Sequence, residues 1–180
     1  MRFDRPAGTV LRLPMVYGEY DPRLRLLPYL QRMQNGRSHI FLDERSASWV
    51  PPRGYVGNIA HALALTVTQT EATNRIYHVA EPHSAARTER EFIQAVGEAF
   101  GWDGEIVALP PSKLPRDMRF NPHGQNLPTD STRIRDELGY AELHTFEQGL
   151  ARTLAWYREQ VLPNADPIDY TAEDTLLRNL

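Results

Sequence analysis

Short runs of β-forming residues alternate with helix-patterned stretches along most of this chain. That alternation constrains the fold more than any other feature. It requires α/β layering, with parallel strand pairs wherever a helix crosses over. The first run, Val10-Leu11-Arg12-Leu13-Pro14-Met15-Val16-Tyr17, breaks off at Gly18. Asp21-Pro22 then opens a helix, since proline suits a first helical turn, and Leu24, Leu27, Leu30 and Met33 recur at helical spacing up to an Asn35-Gly36 stop. A strand over residues 39–42 leads into a polar stretch ending at Pro51-Pro52. From Tyr55 to about Thr68, Val56, Ile59, Ala60, Leu63, Ala64 and Val67 make one helical stripe, with Asn58 as a candidate cap.

The second half continues the pattern. Residues 75–80 read as a strand, and Thr88-Glu89-Arg90-Glu91 as the capping box of a helix that buries Phe92, Ile93, Val96 and Phe100 and stops at Gly101. A strand over 105–110 follows. Asp130 or Ser131 caps a helix through Leu138 that Gly139 ends, and a last helix over 146–158 turns Leu150, Leu154 and Tyr157 inward. Residues 161–180 form a polar tail with a final turn at 172–178. The expected organisation is one folded unit over residues 1–160 and that tail.

With 180 residues, 41% of them hydrophobic and 24% charged, the chain has enough apolar material for a real core. No apolar run approaches the roughly 20 residues that cross a bilayer. Met1-Arg2-Phe3-Asp4-Arg5 lacks an apolar stretch of signal-peptide length, so a cytoplasmic location is expected. The absence of cysteine excludes disulfides, thiolate metal sites and cysteine nucleophiles. A net charge of −3 gives no basic field for nucleic acid. His39, His61, His78, His83, His123 and His144 show no metal-ligand spacing and read as structural or solvent-exposed.

One apparent cofactor motif is read as fortuitous. Gly54-Tyr55-Val56-Gly57-Asn58-Ile59-Ala60 matches G-x-x-G-x-x-A at the start of a helix. A dinucleotide loop closes a buried strand and turns the helix N-terminus to the pyrophosphate. Here Pro51 and Pro52 exclude a central strand before it, and no acidic residue ends a second strand about 20 residues on.

Val10-Leu11-Arg12-Leu13-Pro14-Met15-Val16-Tyr17-Gly18 resembles the strand that follows the catalytic region in extended short-chain dehydrogenases/reductases, the NAD-dependent epimerase/dehydratase family. Ile76-Tyr77-His78-Val79 is similar to a family strand usually written Tyr-Asn-Val. Asp130-Ser131-Thr132-Arg133-Ile134-Arg135-Asp136-Glu137-Leu138-Gly139-Tyr140 resembles its D-S-x-R/K-x-R-x-x-L-G-Y/W helix. Gly149-Leu150 with Thr153 and Trp156 resembles its closing G-L-x-x-T-x-x-W. These blocks fall in family order and spacing across residues 10–158.

The resemblance implies a C-terminal substrate-binding half: a partial Rossmann-like sheet edge plus a small α/β substrate-binding domain. In the family, the glycine-rich loop and a Tyr-x-x-x-Lys pair lie upstream of this strand, and here only nine residues precede it. Lys113 is the only lysine among 20 basic residues, and Leu109 stands where the tyrosine of such a pair would fall, so no catalytic residue is assigned. NAD or NADP is the implied cofactor, held weakly or not at all by this chain alone, with Leu13 and Pro14 against its nicotinamide end. No residue is assigned to a metal.

Met15 falls where sugar-nucleotide enzymes commonly place a substrate-binding Asn. A thioether cannot orient a sugar hydroxyl, which argues against a standard nucleotide-sugar substrate. The stretch from Arg53 to Ala60 resembles the family's Arg-Asp…Val-x-Asp block, with Asn58 in place of Asp and Pro51 in place of the arginine that binds diphosphate. Arg53 is the candidate replacement, because a planar guanidinium fork matches phosphate. Arg116 and Arg119 are further anion-binding candidates, and Met15, Arg53 and Arg119 form the expected substrate set. The expected partners are a small-molecule substrate and a Rossmann half or second copy, docked on an exposed apolar surface over residues 10–16 and 75–80. Two other readings stay open: a non-catalytic ligand-binding or regulatory module, and one subunit of a split oxidoreductase.

Overall fold

A computed structural model describes residues 8–82, 85–119, 126 and 129–179. Met1-Arg2-Phe3-Asp4-Arg5, His83 and His123 lie outside the described residues. The architecture is mixed α/β, with three two-stranded parallel sheet pieces and helices between them.

The opening apolar run divides at Leu13-Pro14 into β1 (Val10–Arg12) and β2 (Met15–Tyr17). Proline has no N–H to offer a ladder, and the two halves take different partners. β1 pairs with β5 (Ile76–His78), Leu11 opposite Tyr77. β2 pairs with β4 (Arg53–Tyr55), Met15 opposite Arg53 and Tyr17 opposite Tyr55. β4 lies beyond the two prolines expected to exclude a central strand before Gly54, in a two-stranded piece. It starts directly after Pro52, whose carbonyl accepts from the Met15 N–H at 3.0 Å, so proline supplies the half of the ladder that it can. β3 (His39–Asp43) pairs with β6 (Glu105–Leu109). After β6, one exposed 3-10 turn, Pro111–Lys113, carries the lone lysine.

The first helix, α1 (Leu27–Gln34), starts five residues later than Pro22 suggests. The Asp21 carboxylate accepts from the N–H groups of Arg23 and Arg25 and from the Arg25 guanidinium, and Leu24 is turned to φ +46. This local loop competes with helix and wins over residues 21–25. α2 (Glu44–Ser48) is a short helix capped by Asp43, which accepts from Arg45 N–H.

α3 (Val56–Thr68) forms as its stripe predicts, but Asn58 does not cap it. Asn58 is buried, donates to the His144 carbonyl at 2.9 Å and accepts from the His144 N–H at 3.0 Å. Asparagine has both a donor and an acceptor for this double bond; an ionised aspartate could only accept.

α4 (Glu89–Phe100) carries the expected Thr88/Glu91 capping box and ends at Gly101, φ +81. α5 (Thr132–Leu138) ends at Gly139. Asp130 accepts from Thr132 N–H at its start, while the Ser131 hydroxyl donates instead to Ala80 O. α6 (Phe146–Trp156) runs on into a π-helical turn, Tyr157–Val161. Beyond it the polar segment folds back as α7 (Thr171–Arg178), where buried Glu173 and Asp174 accept from Arg32 and Arg37 around α1.

The largest core cluster gathers Tyr17, Leu30, Ile40, Tyr55, Phe92, Ile93, Val96, Leu150, Leu154 and Tyr157, joining β2–β4 and β3 to α1, α4 and α6. A second, with Ile59, Tyr77, Val79, Ile134 and Leu138, sits under β5, α3 and α5. Among the described residues, no helix is long and apolar enough to cross a membrane.

Candidate functional site

Ligands in parallel α/β sheets bind beyond the carboxyl ends of strands. Here the chain leaving β5 and the chain entering β4 enclose a pocket of about 270 Å³. Its walls are largely apolar, from Val50, Pro51, Pro52, Ala80, Ala86 and Phe92, with Arg53, Glu81, Arg87, Asn126 and Thr129 adding the polar groups.

β4 delivers Arg53, which is only 7% exposed. Its guanidinium lies 4.1 Å over the Phe92 ring, donates to the Arg87 carbonyl at 3.1 Å and forms an ion pair with Glu89. Burial lowers its pKa, opposed by the charge of Glu89. The backbone of the same residue holds the opposite wall, since Glu81 N–H donates to Arg53 O at 2.8 Å.

Glu81 accepts from the Tyr17 hydroxyl at 2.9 Å. Desolvation pushes this carboxyl above its ordinary range, only partly offset by the Tyr17 hydrogen bond and the nearby Arg87 and Arg53 charges. Tyr17 is also pushed up, first by burial and then by Glu81, so it stays a neutral donor. Arg87 donates to Ala85 O at 3.1 Å and stacks 3.9 Å over Phe146.

The sequence-derived candidates separate in space. Arg53 lines the pocket. Met15 is its neighbour across the β2–β4 ladder but is not in the lining. Leu13 is exposed between β1 and β2. Pro14 packs at Gly54, where an added Cβ would lie 3.1 Å from Pro14 and 2.7 Å from Ile59. Gly54 is thus enclosed by side chains. Arg119 is exposed and donates to Leu114 O at 2.9 Å, outside the pocket lining; Arg116 is exposed in a 3-10 turn.

Glu81, Arg87 and the pocket-lining position of Phe92 escaped the sequence reading. Glu81 did carry a signal, as the first charged residue after the 75–80 strand. His78 lies 3.1 Å from the Arg12 guanidinium, and the His61 ring is tilted against that of Tyr140 at 6.0 Å. No group of side chains suited to a metal ion occurs among the described residues.

No family model matches the chain. It is 25% identical over 156 residues to dTDP-glucose 4,6-dehydratase of Streptomyces niveus, covering 84% of this chain and 42% of that protein. Among solved structures, UDP-glucose 4-epimerase of Thermotoga maritima with UDP-glucose aligns with TM-score 0.64 at 24% identity, over 86% of this chain and 47% of that one. The Thermus thermophilus UDP-glucose 4-epimerase complex with NAD aligns with TM-score 0.61 at 25% identity, over 84% and 46%.

The fold is therefore that of a Rossmann-like epimerase/dehydratase fragment. The proteins that this chain is similar to belong to the NAD-dependent epimerase/dehydratase family of extended short-chain dehydrogenases/reductases. The chain spans less than half the length of the curated relatives that it matches.

Proposed function

We propose that this chain is the substrate-binding portion of an NAD(P)-dependent epimerase/dehydratase-like protein and that it has no redox turnover alone. The observation that carries the reading is the pocket beyond β5 and beside β4, walled by Arg53, Glu81 and Phe92. Arg53 would meet the substrate from the pocket wall, while Met15, beside it on the β2–β4 ladder, and Arg119, on the surface near Leu114, lie outside the lining and would meet only a ligand that extends beyond it. Leu13 and Pro14 would meet the nicotinamide end of a cofactor held by other residues. The close packing of Pro14 and Ile59 on Gly54 supports weak dinucleotide binding by these residues. The only lysine, Lys113, has Leu109 four residues before it, so no Tyr-x-x-x-Lys pair exists in this sequence.

Titration with NAD(H) and NADP(H) tests this. Binding weaker than about 1 mM, roughly −4 kcal/mol, is expected. Micromolar affinity would overturn the reading.

A second reading, one subunit of a split oxidoreductase or a homodimer, is favoured by the β1–β5 pair. Val10, Leu13 and Ile76 are each about half exposed there, and the sheet piece has two strands. Sedimentation across a concentration series would show self-association if the partner is a second copy.

A further inference from the structure

Eight residues are too few for a stable isolated helix, so α7 is held by what it lies against. That hold is almost wholly polar. Arg32 Nε donates to Glu173 at 3.0 Å, and Arg37 pairs with Asp174 and lies 4.7 Å over the Tyr170 ring. Asn35 donates to the Tyr170 hydroxyl at 2.9 Å, and Gln31 to the Asp166 carbonyl at 2.6 Å. Within α7, only Leu176 packs against an apolar cluster, that of Phe41, Leu109 and Leu114. The fit also has a defect. Both Arg32 nitrogens that reach Glu173 go to one oxygen, and the other, buried, has no hydrogen-bond partner among the described residues. A guanidinium fork well placed on a carboxylate takes both oxygens. An unpaired buried acceptor weakens the hold.

We propose that the face of α1 bearing Arg32 and Arg37, with the Phe41–Leu109–Leu114 cluster beside it, is a docking site for an acidic amphipathic helix of a partner protein, and that α7 is its displaceable occupant in cis. The chemistry of the partner follows from α7 itself. It presents two adjacent carboxylates to the two guanidinium groups, with a leucine in the next turn, as Glu173, Asp174 and Leu176 do. Residues 165–170 form neither helix nor strand, so α7 can lift while α6 stays packed. A tethered occupant starts from a roughly millimolar local concentration, which a partner must outbid by fitting better. A helix that gives Arg32 both carboxylate oxygens does so. None of these residues lines the pocket beside Arg53, so this surface can act while that pocket is filled.

Fluorescence anisotropy of a labelled peptide of residues 165–179, titrated with the whole chain, provides the test. The unaltered chain should bind it weakly, because its own α7 holds the seat. Glu173→Gln with Asp174→Asn removes both carboxylates from the tethered helix and should tighten peptide binding at least about tenfold. Arg37→Ala added to that variant should reverse the gain. No gain, or a gain that survives Arg37→Ala, overturns the proposal. If the double variant fails to fold, hydrogen exchange on the unaltered chain decides. Peptide in excess should speed exchange of the amides of residues 174–178 at least about twofold and leave those of α4 unchanged. Unchanged exchange in α7 overturns the proposal. A dimer in sedimentation whose formation abolishes peptide binding would give the seat to a second copy and overturn the partner assignment.

Discussion

β1–β5 and β2–β4 are three-residue parallel pairs, cut from one apolar run on one side of each ladder, yet their surroundings are opposite. In β2–β4, Tyr17 and Tyr55 are fully packed, with their rings 5.9 Å apart and Phe92 edge-on to Tyr17 at 5.5 Å. α6 comes so close that a Cβ at Gly149 would lie 2.7 Å from the Tyr55 ring. In β1–β5, only Leu11 and Tyr77 reach a core cluster, while Val10 and Ile76 stand half in solvent. Strand pairing alone therefore does not set the value of these residues. The helices that cover β2–β4 do, and one of them, α4, adds Phe92 to the pocket wall.

The sharpest way to break this contrast is Phe92→Ala, expected to cost about 4 kcal/mol in urea denaturation, because it empties core volume and removes the surface under Arg53. A loss under about 1 kcal/mol would show the two regions to be energetically alike. Glu89→Gln should cost about 3 kcal/mol by leaving the Arg53 guanidinium buried without its counter-charge. A double-mutant cycle with Arg53→Met would show whether the loss belongs to the pair.

Glu81 gives a pH signature to the covered region only. Burial holds its carboxyl above the ordinary value of 4.5, so the native state keeps a proton that the unfolded chain has released. Stability should fall as pH rises from about 4.5 through the native value. Glu81→Gln should remove that part of the slope, and an unchanged urea-midpoint profile would count against the assignment. Glu91, Glu137 and Asp130 have lowered values and act in the opposite sense, losing stability as pH falls below their ordinary values. On the open side, Val10→Ser and Ile76→Ser should each change stability by less than about 0.5 kcal/mol. A larger loss would mean that this edge is covered in solution.

Local chemistry made much of the fold legible. Thr88 and Glu91 announced α4, Gly139 ended α5, and the α3 stripe set that helix within a residue of its start. What escaped depends on contacts distant in sequence. β4 is hidden by prolines and exists because β2 lies beside it. The start of α1 is decided by a carboxylate loop at Asp21. In the site, Arg53 was legible as a residue but not as one bound to Glu89, 36 positions away. The Tyr17–Glu81 bond spans 64 positions and left no periodic trace.

The turn at Pro111–Lys113 has a practical consequence. It places the chain's single side-chain amine on an exposed bend after β6, away from the residues that line the pocket. An amine-selective dye or tether has one side-chain address on this molecule. Immobilised through it, every copy would face its surroundings in the same orientation, with the arginines and carboxylates of the pocket chemically untouched.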